Sequence, residues 1–470
     1  MIFKQQAEDD FDVKSVVSPE MEVILRRCAN IYAGAPPWLS ADDDIRTINF
    51  AKAVSSETAR LATLAIGIQI EGSTRAEWLQ KQIDAVYFHL REWVEFSCAY
   101  GTVFLKPNGD SLDLFTPKDI LLVDYDNLGI KGIIFKDSYT QGDRFYTRLE
   151  YHRFVETTES GVTTYPYYIS NRTYMSKSAD SIGDKIPMAK TKWAGMMEDT
   201  PPILKTSGEK LDGPMFGMLR TPHANNIDIN SPLGLPMYSE AIEELKDLDV
   251  AYSRNAGEIW DSQKIMLADD RLLMPDGQKV TDRTPEQIRG KREQMGLPRY
   301  VKNVYGSDAK EFYSEINPKL NTEARLAGIN ALLSQIGYKC GYSNGYFVFN
   351  EKSGMVTATQ VESDDRRTIQ LIKDVRDKLE NALDGAIYAL SVYADLYGLA
   401  PVGTYEITYD FGDITYSREE DRARWWQYVM QGKVPAWMYF QKFEGMSEED
   451  AKAMVEEATP KEDNKLFGEE

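Results

Sequence analysis

The sequence predicts an α+β protein, and three observations carry that prediction. A helical apolar pattern runs for about forty residues up to Tyr397, and a block of short alternating runs separated by turn residues fills 102–169. Two more helical patterns bracket an irregular insert at 264–318.

Taken in order, Ser18-Pro19-Glu20 reads as a cap and first turn, and Met21 to Tyr32 as a helix that stops at Gly34-Ala35-Pro36-Pro37. A second helix is expected over Asp42–Ile66 and a third over Ala76–Tyr100. The third sets Trp78, Ile83, Val86, Leu90, Val94 and Cys98 along one side, a stripe suited to core packing. From Gly101 to about Met175 the period changes to that of strands. Thr102-Val103-Phe104-Leu105 and Leu112-Asp113-Leu114-Phe115 flank Asn108-Gly109, a strong hairpin signal; Ile120–Tyr125, Lys131–Tyr139, Phe145–Val155 and Thr163–Ile169 continue an antiparallel unit. Asn171-Arg172-Thr173 fits a glycosylation sequon, but without a secretion signal it reads as a turn. Residues 176–230, rich in Pro, Gly and Lys and without a period, are expected to be loops with short strands.

Helix returns over Gly234–Trp260, with Ile242, Leu245, Leu248, Ala251 and Tyr252 on one face. The insert from Lys264 to Pro318 holds a Pro275-Asp276-Gly277 turn, and Thr322–Cys340 is helical again, with Leu326, Ile329, Leu333 and Ile336 in phase. Helix, insert and returning helix describe a stalk with a knob at its tip. After Cys340, Gly345, Lys352 and Gly354 keep the connecting segment flexible and hydrated, while Tyr346, Phe347, Val348 and Phe349 are expected to pack against neighbours. Thr359 and Glu362 then form a T-x-x-E capping box at the start of the long helix. Ile372, Val375, Leu379, Leu383, Ala386, Leu390, Tyr393 and Tyr397 make its apolar face, with a bend expected at Gly385. A helix over 357–397 is roughly 60 Å long, more than a globular domain needs, and implies an assembly. Tyr405–Tyr409 reads as a strand rejoining the β unit. Three short helices follow at Arg418–Met430, Ala436–Phe443 and Ser447–Glu457, the last capped by Ser447 with Asp450, before a charged tail from Pro460 to Glu470 that is expected to be disordered.

Three ordered stretches carry a resemblance: Asn230-Ser231-Pro232-Leu233-Gly234 leading into Tyr238-Ser239-Glu240-Ala241-Ile242, Thr357-Ala358-Thr359-Gln360-Val361, and Tyr409-Asp410-Phe411-Gly412-Asp413. In these, and in their order over about residues 15–460, the chain resembles the portal proteins of tailed bacteriophages, in the branch found in long-tailed phages of Gram-positive hosts. The resemblance implies a phage portal fold: a wing over 1–230, stem helices at 231–263 and 321–340 around a clip at 264–320, and a tunnel loop at 341–356. A long helix with a returning wing strand at 357–416 and a helical crown with its tail at 417–470 complete it. It also implies a homo-oligomeric ring of twelve at one capsid vertex, through which double-stranded DNA enters during packaging and leaves at ejection. The implied partners are the terminase large subunit, the head-completion or adaptor protein, and the major capsid and scaffolding proteins. The implied location is the virion, with assembly in the host cytoplasm. Lys352, Ser353, Gly354, Met355 and Val356 take the place of the DNA-facing tunnel loop; an ordinary connecting hairpin is the other reading of that segment.

Composition is compatible with such a conduit. The 470 residues suffice for two or three domains, and 54 basic against 74 acidic residues leave a net charge of −20. That excess argues against a tight DNA clamp, whose affinity comes from neutralised phosphates, and suits a channel through which duplex must slide. Between Lys279 and Lys302 the balance reverses locally. Lys279, Arg283, Arg289, Lys291, Arg292, Arg299 and Lys302 stand against Asp282, Glu286 and Glu293. Two readings of this patch stay open, a mixed solvated surface and a docking or phosphate-facing collar in the clip.

Enzyme chemistry finds little support. Gly290-Lys291 and Gly432-Lys433 are followed by Arg292 and Val434, so neither opens a nucleotide-binding phosphate loop, and Asp410-Phe411-Gly412 has no accompanying catalytic loop of the kinase kind. The carboxylate pairs Asp269-Asp270 and Asp364-Asp365 leave a carboxylate-dependent hydrolase as a competing class, and a head protein without a channel as another. No cofactor or metal is expected. Cys28, Cys98 and Cys340 are scattered and read as buried thiols. The acidic N-terminus is unlike a signal peptide, and no run of apolar residues is long enough to span a membrane.

Overall fold

A computed structural model of the chain describes residues 2–39, 45–109, 111–127, 129–159, 162–205, 207–261, 265–269, 300–304, 313–316, 322–348, 358–412, 425–431, 433–444 and 446–458. Helix and sheet are mixed along the chain, as an α+β protein requires, in two compact units, Met1–Asp410 and Phe411–Glu470.

The first unit opens with α1 (Ile2–Phe11), α2 (Pro19–Tyr32) and α3 (Phe50–Ala62), followed by β1 (Gly67–Gly72), α4 (Thr74–Val86) and α5 (Leu90–Tyr100). Ser18 Oγ accepts from the Met21 amide with Pro19 in the first turn, so α2 begins as its sequence predicts. α1 has no counterpart in the sequence reading, because its acidic composition hides the Phe3 and Ala7 face it buries. The helix expected over Asp42–Ile66 is shorter. Residues 45–49 are not helical, since Asp249 and Ser253 accept from the amides of Ile48 and Arg46 and Asn49 is left-handed at φ 50°; residues 42–44 lie outside the described residues. The helix expected over Ala76–Tyr100 is broken by a 3-10 turn at Tyr87–His89, where Tyr87 Oη donates to the Ile66 carbonyl. Its predicted stripe is nonetheless core: Ile83, Val86, Leu90, Val94 and Cys98 are buried and Trp78 partly so.

Next come β2 (Thr102–Asn108) and β3 (Ser111–Phe115), an antiparallel pair joined at Gly109, whose φ of 74° explains the glycine. β4 (Ile120–Asp126), β5 (Gly129–Gln141) and β6 (Arg144–Phe154) follow, then the hairpin β7 (Thr157–Glu159) and β8 (Val162–Thr164), then β9 (Tyr167–Ser176), β10 (Asp184–Ile186) and β11 (Gly217–Arg220). The single strand expected over Thr163–Ile169 is therefore two, interrupted at Tyr165-Pro166, where proline has no amide to give a ladder. Asn171-Arg172-Thr173 is no turn. It lies inside β9, paired with β6, and the buried Asn171 Nδ2 donates to the Met197 carbonyl at 2.8 Å. Five strands form one sheet in the order β10-β9-β6-β5-β4, and β11-β2-β3 form another. Phe104, Phe115, Ile133, Phe135 and Phe216 fill the core between them, together with Met21 of α2. The far face of the larger sheet, Ile134, Leu149, Tyr151 and Tyr174, is closed by Phe3 and Ala7 of α1.

α6 (Ile242–Asp261) starts later than the expected Gly234, because 234–238 are held in a non-helical approach described below. β12 (Ile265–Asp269) pairs in parallel with β13 (Tyr300–Val304) and antiparallel with β14 (Tyr313–Ile316), and α7 (Thr322–Lys339) returns. The turn expected at Pro275-Asp276-Gly277 lies outside the described residues. α8 (Ala358–Tyr397) is one helix of 40 residues. It already contains Thr359, so the cap expected there lies inside the first turn. What Gly385 provides is room for β11: a Cβ there would come within 3.1 Å of Gly217 Cα, and one on Gly217 within 1.9 Å of the Ala382 carbonyl. β15 (Tyr405–Asp410) does not rejoin the large β unit; it pairs antiparallel with β1, a strand the sequence reading lacks.

In the second unit residues 425–430 are helical, followed by α9 (Ala436–Glu444) and α10 (Glu448–Ala458). Trp425, Tyr439 and Phe443 pack together, and Ser447 Oγ accepts from the Asp450 amide at 3.1 Å, the predicted cap. Residues 418–424 and the tail from Pro460 lie outside the described residues.

Candidate functional site

Lys352, Ser353, Gly354, Met355 and Val356 lie outside the described residues, as do Arg289, Lys291, Arg292 and Arg299. Lys302 is placed by its backbone alone, in the middle of β13 opposite Leu267. The structure thus describes the frame around these positions, and the frame has four parts.

The first is the root of the stalk. In Asn230-Ser231-Pro232-Leu233-Gly234, the Gly234 amide donates to Thr102 Oγ1 at 2.7 Å, and its Cα passes so close to Gly101 that a Cβ would fall 2.6 Å from the Gly101 carbonyl. Gly101 itself has φ 83° and would place a Cβ 2.3 Å from the Gly234 carbonyl. Two glycines let two backbones touch, and this contact aims the chain into α6. Asn225 Nδ2, donating to the Leu233 carbonyl at 2.9 Å, and Arg220 Nη1, donating to that of Pro232 at 3.2 Å, hold the approach.

The second part is the helix pair. At the base, Lys339 Nζ of α7 bonds Glu244 Oε1 at 2.5 Å and the Glu240 carbonyl at 2.9 Å, and Gln335 also reaches Glu244. The C-terminal end of α7 therefore lies beside the N-terminal end of α6. Leu245, Leu248, Ile329, Leu333 and Ile336 are buried here. Away from the base the burial ends. In α7, Thr322, Glu323, Ala324, Leu326, Ala327 and Gly328 are all exposed, and Tyr252 of α6 is 45% exposed.

The third part is the joint after α7. Its aromatic residues do pack, and they pack within the chain. Tyr342 is fully buried with its hydroxyl 2.6 Å from Thr58 Oγ1, Tyr346 Oη donates to Glu57 Oε1 at 2.5 Å, and Phe347 meets Phe50 edge to face. Thr368 of α8 grips the same turn by accepting from the Ser343 amide at 2.9 Å. The part of the expected flexible loop from Gly341 to Phe347 is therefore bound to α3 and α8, because the mutual packing of the buried Tyr342 with the half-buried Tyr346 and Phe347 outweighs the freedom that Gly345 confers; Phe349 lies outside the described residues.

The fourth part fixes the long helix α8. From α8, Arg376 Nε donates to the Ala62 carbonyl at 3.0 Å and Nη2 to that of Leu61 at 3.2 Å, so a buried cation closes the C-terminal end of α3. At the other end Arg75, 1% exposed, donates to the carbonyls of Ser391 and Pro401 at 2.7 Å and of Ala400 at 2.9 Å, and pairs with Asp395. Neither arginine stands out in the sequence.

A charged cluster also lies inside the β unit. Lys106 Nζ of β2 meets Glu150 Oε2 of β6 at 2.6 Å, and Arg148 Nη2 meets the same oxygen at 2.9 Å. Glu150 Oε1 lies 3.0 Å from His152 Nε2, and His152 Nδ1 lies 2.9 Å from Tyr167 Oη, which accepts from the Met215 amide. With Glu150 ionised, the network assigns the neutral imidazole with its proton on Nε2. Burial alone would raise the Glu150 carboxyl, but Arg148 and Lys106 hold it well below the usual carboxylate range. Burial pushes His152 down, with Glu150 opposing, and pushes Lys106 down as well. Lys106, Arg148, Glu150 and His152 are all buried, so the cluster ties one sheet to the other rather than meeting a substrate.

Cys28, Cys98 and Cys340 are free, buried thiols; burial pushes Cys28 and Cys340 up to about 12. Among the described residues no three His, Cys, Asp or Glu side chains are grouped to hold a metal, and no helix is long and apolar enough to cross a membrane. In comparisons with known proteins, the chain matches no family model and none of the curated proteins.

Proposed function

We propose that the chain is a portal protein: a subunit of a ring-shaped channel, twelve copies by resemblance, at one vertex of a phage capsid, through which double-stranded DNA is packaged and ejected. The observation that carries this reading is the helix pair α6 and α7, buried at its base and exposed with apolar residues beyond it, with the short strands β12, β13 and β14 between the helices and the 40-residue α8 following. In a ring, α6 and α7 are the stem, the insert with Lys302 is the clip that meets the terminase and then the head-completion protein, and the β unit is the wing. Residues 425–458 belong to the crown. The tunnel loop then begins only after Phe347, since the preceding turn is bound to α3. The protein's part is mechanical and electrostatic, and the terminase supplies the ATP hydrolysis. An acidic channel offers DNA few local wells.

Mass photometry and electron microscopy of the purified protein test this. A ring with a central hole is expected; monomer alone at micromolar concentration in several salts would refute it.

A further inference from the structure

The β1–β15 ribbon has two unlike faces and two unlike edges. Ile68 and Ile70, opposite Tyr409 and Ile407, form the inner face, where Tyr409 Oη donates to Asp384 of α8 at 2.7 Å. The outer face carries Gln69, Glu71, Glu406, Thr408 and Asp410, and Glu71 stands directly opposite Glu406. Like charges facing each other across a ladder repel, so this face is unfavourable by itself and complementary to a cationic partner.

The edges differ through a single side chain. The Ser73 amide donates to the Thr404 carbonyl at 3.2 Å, which sets the alternation: Glu406 and Thr408 turn their backbone groups toward β1, and Ile407 turns its own away. On the outer edge of β1, Gln80 does what a neighbouring strand would do. Its Oε1 accepts from the Ile70 amide at 2.8 Å and its Nε2 donates to the Ile68 carbonyl at 3.2 Å. Among the described residues nothing performs that task for Ile407 on β15. An open edge is an invitation to strand pairing that proteins ordinarily block.

The occupant follows from charge and symmetry. Pairing of β15 with β15 of another copy would bring two acidic faces together and would close a two-fold dimer. A ring needs two different surfaces on each subunit. Among edge strands whose side chains are described, β10 alone carries a lysine. Lys185 is exposed, with Lys177 and Lys190 exposed on its flanks against Asp180 and Asp184, whereas β4 brings Asp124 and Asp126 and β11 is covered by α8. Building on the portal reading, we propose that the outward backbone groups of Ile407 in β15 and the acidic face beside them receive the lysine-bearing β10 edge of the next copy, a strand-to-strand contact repeated around the ring.

Charge exchange tests the contact. Glu71→Lys with Glu406→Lys, and separately Lys185→Glu with Lys190→Glu, should each raise the concentration at which rings form by about ten-fold or more; the four changes combined in one chain should bring it back near the wild-type value. Ile407→Pro, which removes the outward amide and leaves the ladder to β1, should weaken assembly without the charge change. Mass photometry reads the rings, and melting curves establish that each variant is folded. Wild-type rings together with ring formation by all these variants at wild-type concentration overturn this contact and leave the portal reading standing. Two charge-reversed pairs that fail without rescue in the combined chain also overturn it. A wild-type protein that never assembles overturns both.

Discussion

The β unit and the helix pair use their residues in opposite ways. Inside the β unit, Lys106, Arg148, Glu150 and His152 are buried among phenylalanines, and most of their polar atoms have partners within the chain. On α7, Leu326, Ala327 and Gly328 face outward beyond a base that is well packed. Charge inside runs against the ordinary distribution and is largely satisfied within one copy, whereas the outer turns of α7 leave Leu326 exposed. The charges of the β unit are thus met within one copy, and on the portal reading a neighbouring copy covers the outer turns of α7.

The comparison breaks most visibly at Glu150. Glu150→Ala leaves the buried Lys106 without its carboxylate partner and Arg148 with only Asp137 at 3.5 Å, and the expected loss is about 3–5 kcal/mol of stability, read by denaturant unfolding of the isolated chain. A loss under about 1 kcal/mol would mean that water reaches the cluster and that the β unit is not closed. Arg75→Met should cost less, about 2–3 kcal/mol, because the carbonyls of Ser391, Ala400 and Pro401 lose a charged donor near the end of α8, where Asp395 is half exposed. Amide exchange should show the loss first over the last turns of α8.

Acid should act on the same cluster, with a definite sign. His152 is held below its ordinary value, so the unfolded chain takes up its proton first as pH falls below about 6.5, and stability declines from there. Glu150, also held low, adds a second decline below about 4.5, where the unfolded carboxyl protonates and the folded one does not. Melting temperature is thus expected to drop between pH 7 and pH 5, and His152→Gln to flatten that drop. A drop of equal size in His152→Gln would assign it to other groups.

What was legible in the sequence follows the same division. α8, the Asn108-Gly109 hairpin, the two helices around the insert and the Ser447 cap declare themselves through period and turn chemistry, which are local. The charged cluster did not. Arg148, Glu150 and His152 alternate with Leu149 and Tyr151 along β6, a pattern that ordinarily marks a strand with one wet face. Both faces are dry here because α1 covers Leu149 and Tyr151 while β2 covers the charges, and neither cover is adjacent in sequence. β1 was missed for a related reason. Its partner β15 lies more than three hundred residues away, as the pairing of Gly67 with Asp410 shows, and its own run is short.

The smallest change in stability, and the most informative one, belongs to the helix pair. Leu326→Ser replaces a side chain that is 39% exposed and lies beyond the packed base, so the isolated chain should unfold within about 0.5 kcal/mol of wild type. If a neighbouring copy covers that position, ring yield should nevertheless fall, because the serine would place a hydroxyl in an apolar contact that exists only in the assembly. Leu333→Ser is the internal control. Leu333 is 1% exposed at the base, and its loss should lower stability by about 2–5 kcal/mol whether or not copies associate. Unfolding curves and mass photometry on the two variants separate the outcomes. Equal stability loss for both would place Leu326 in the core of a single copy, and unchanged ring yield with unchanged stability would leave the outer half of α7 exposed in the assembly as well.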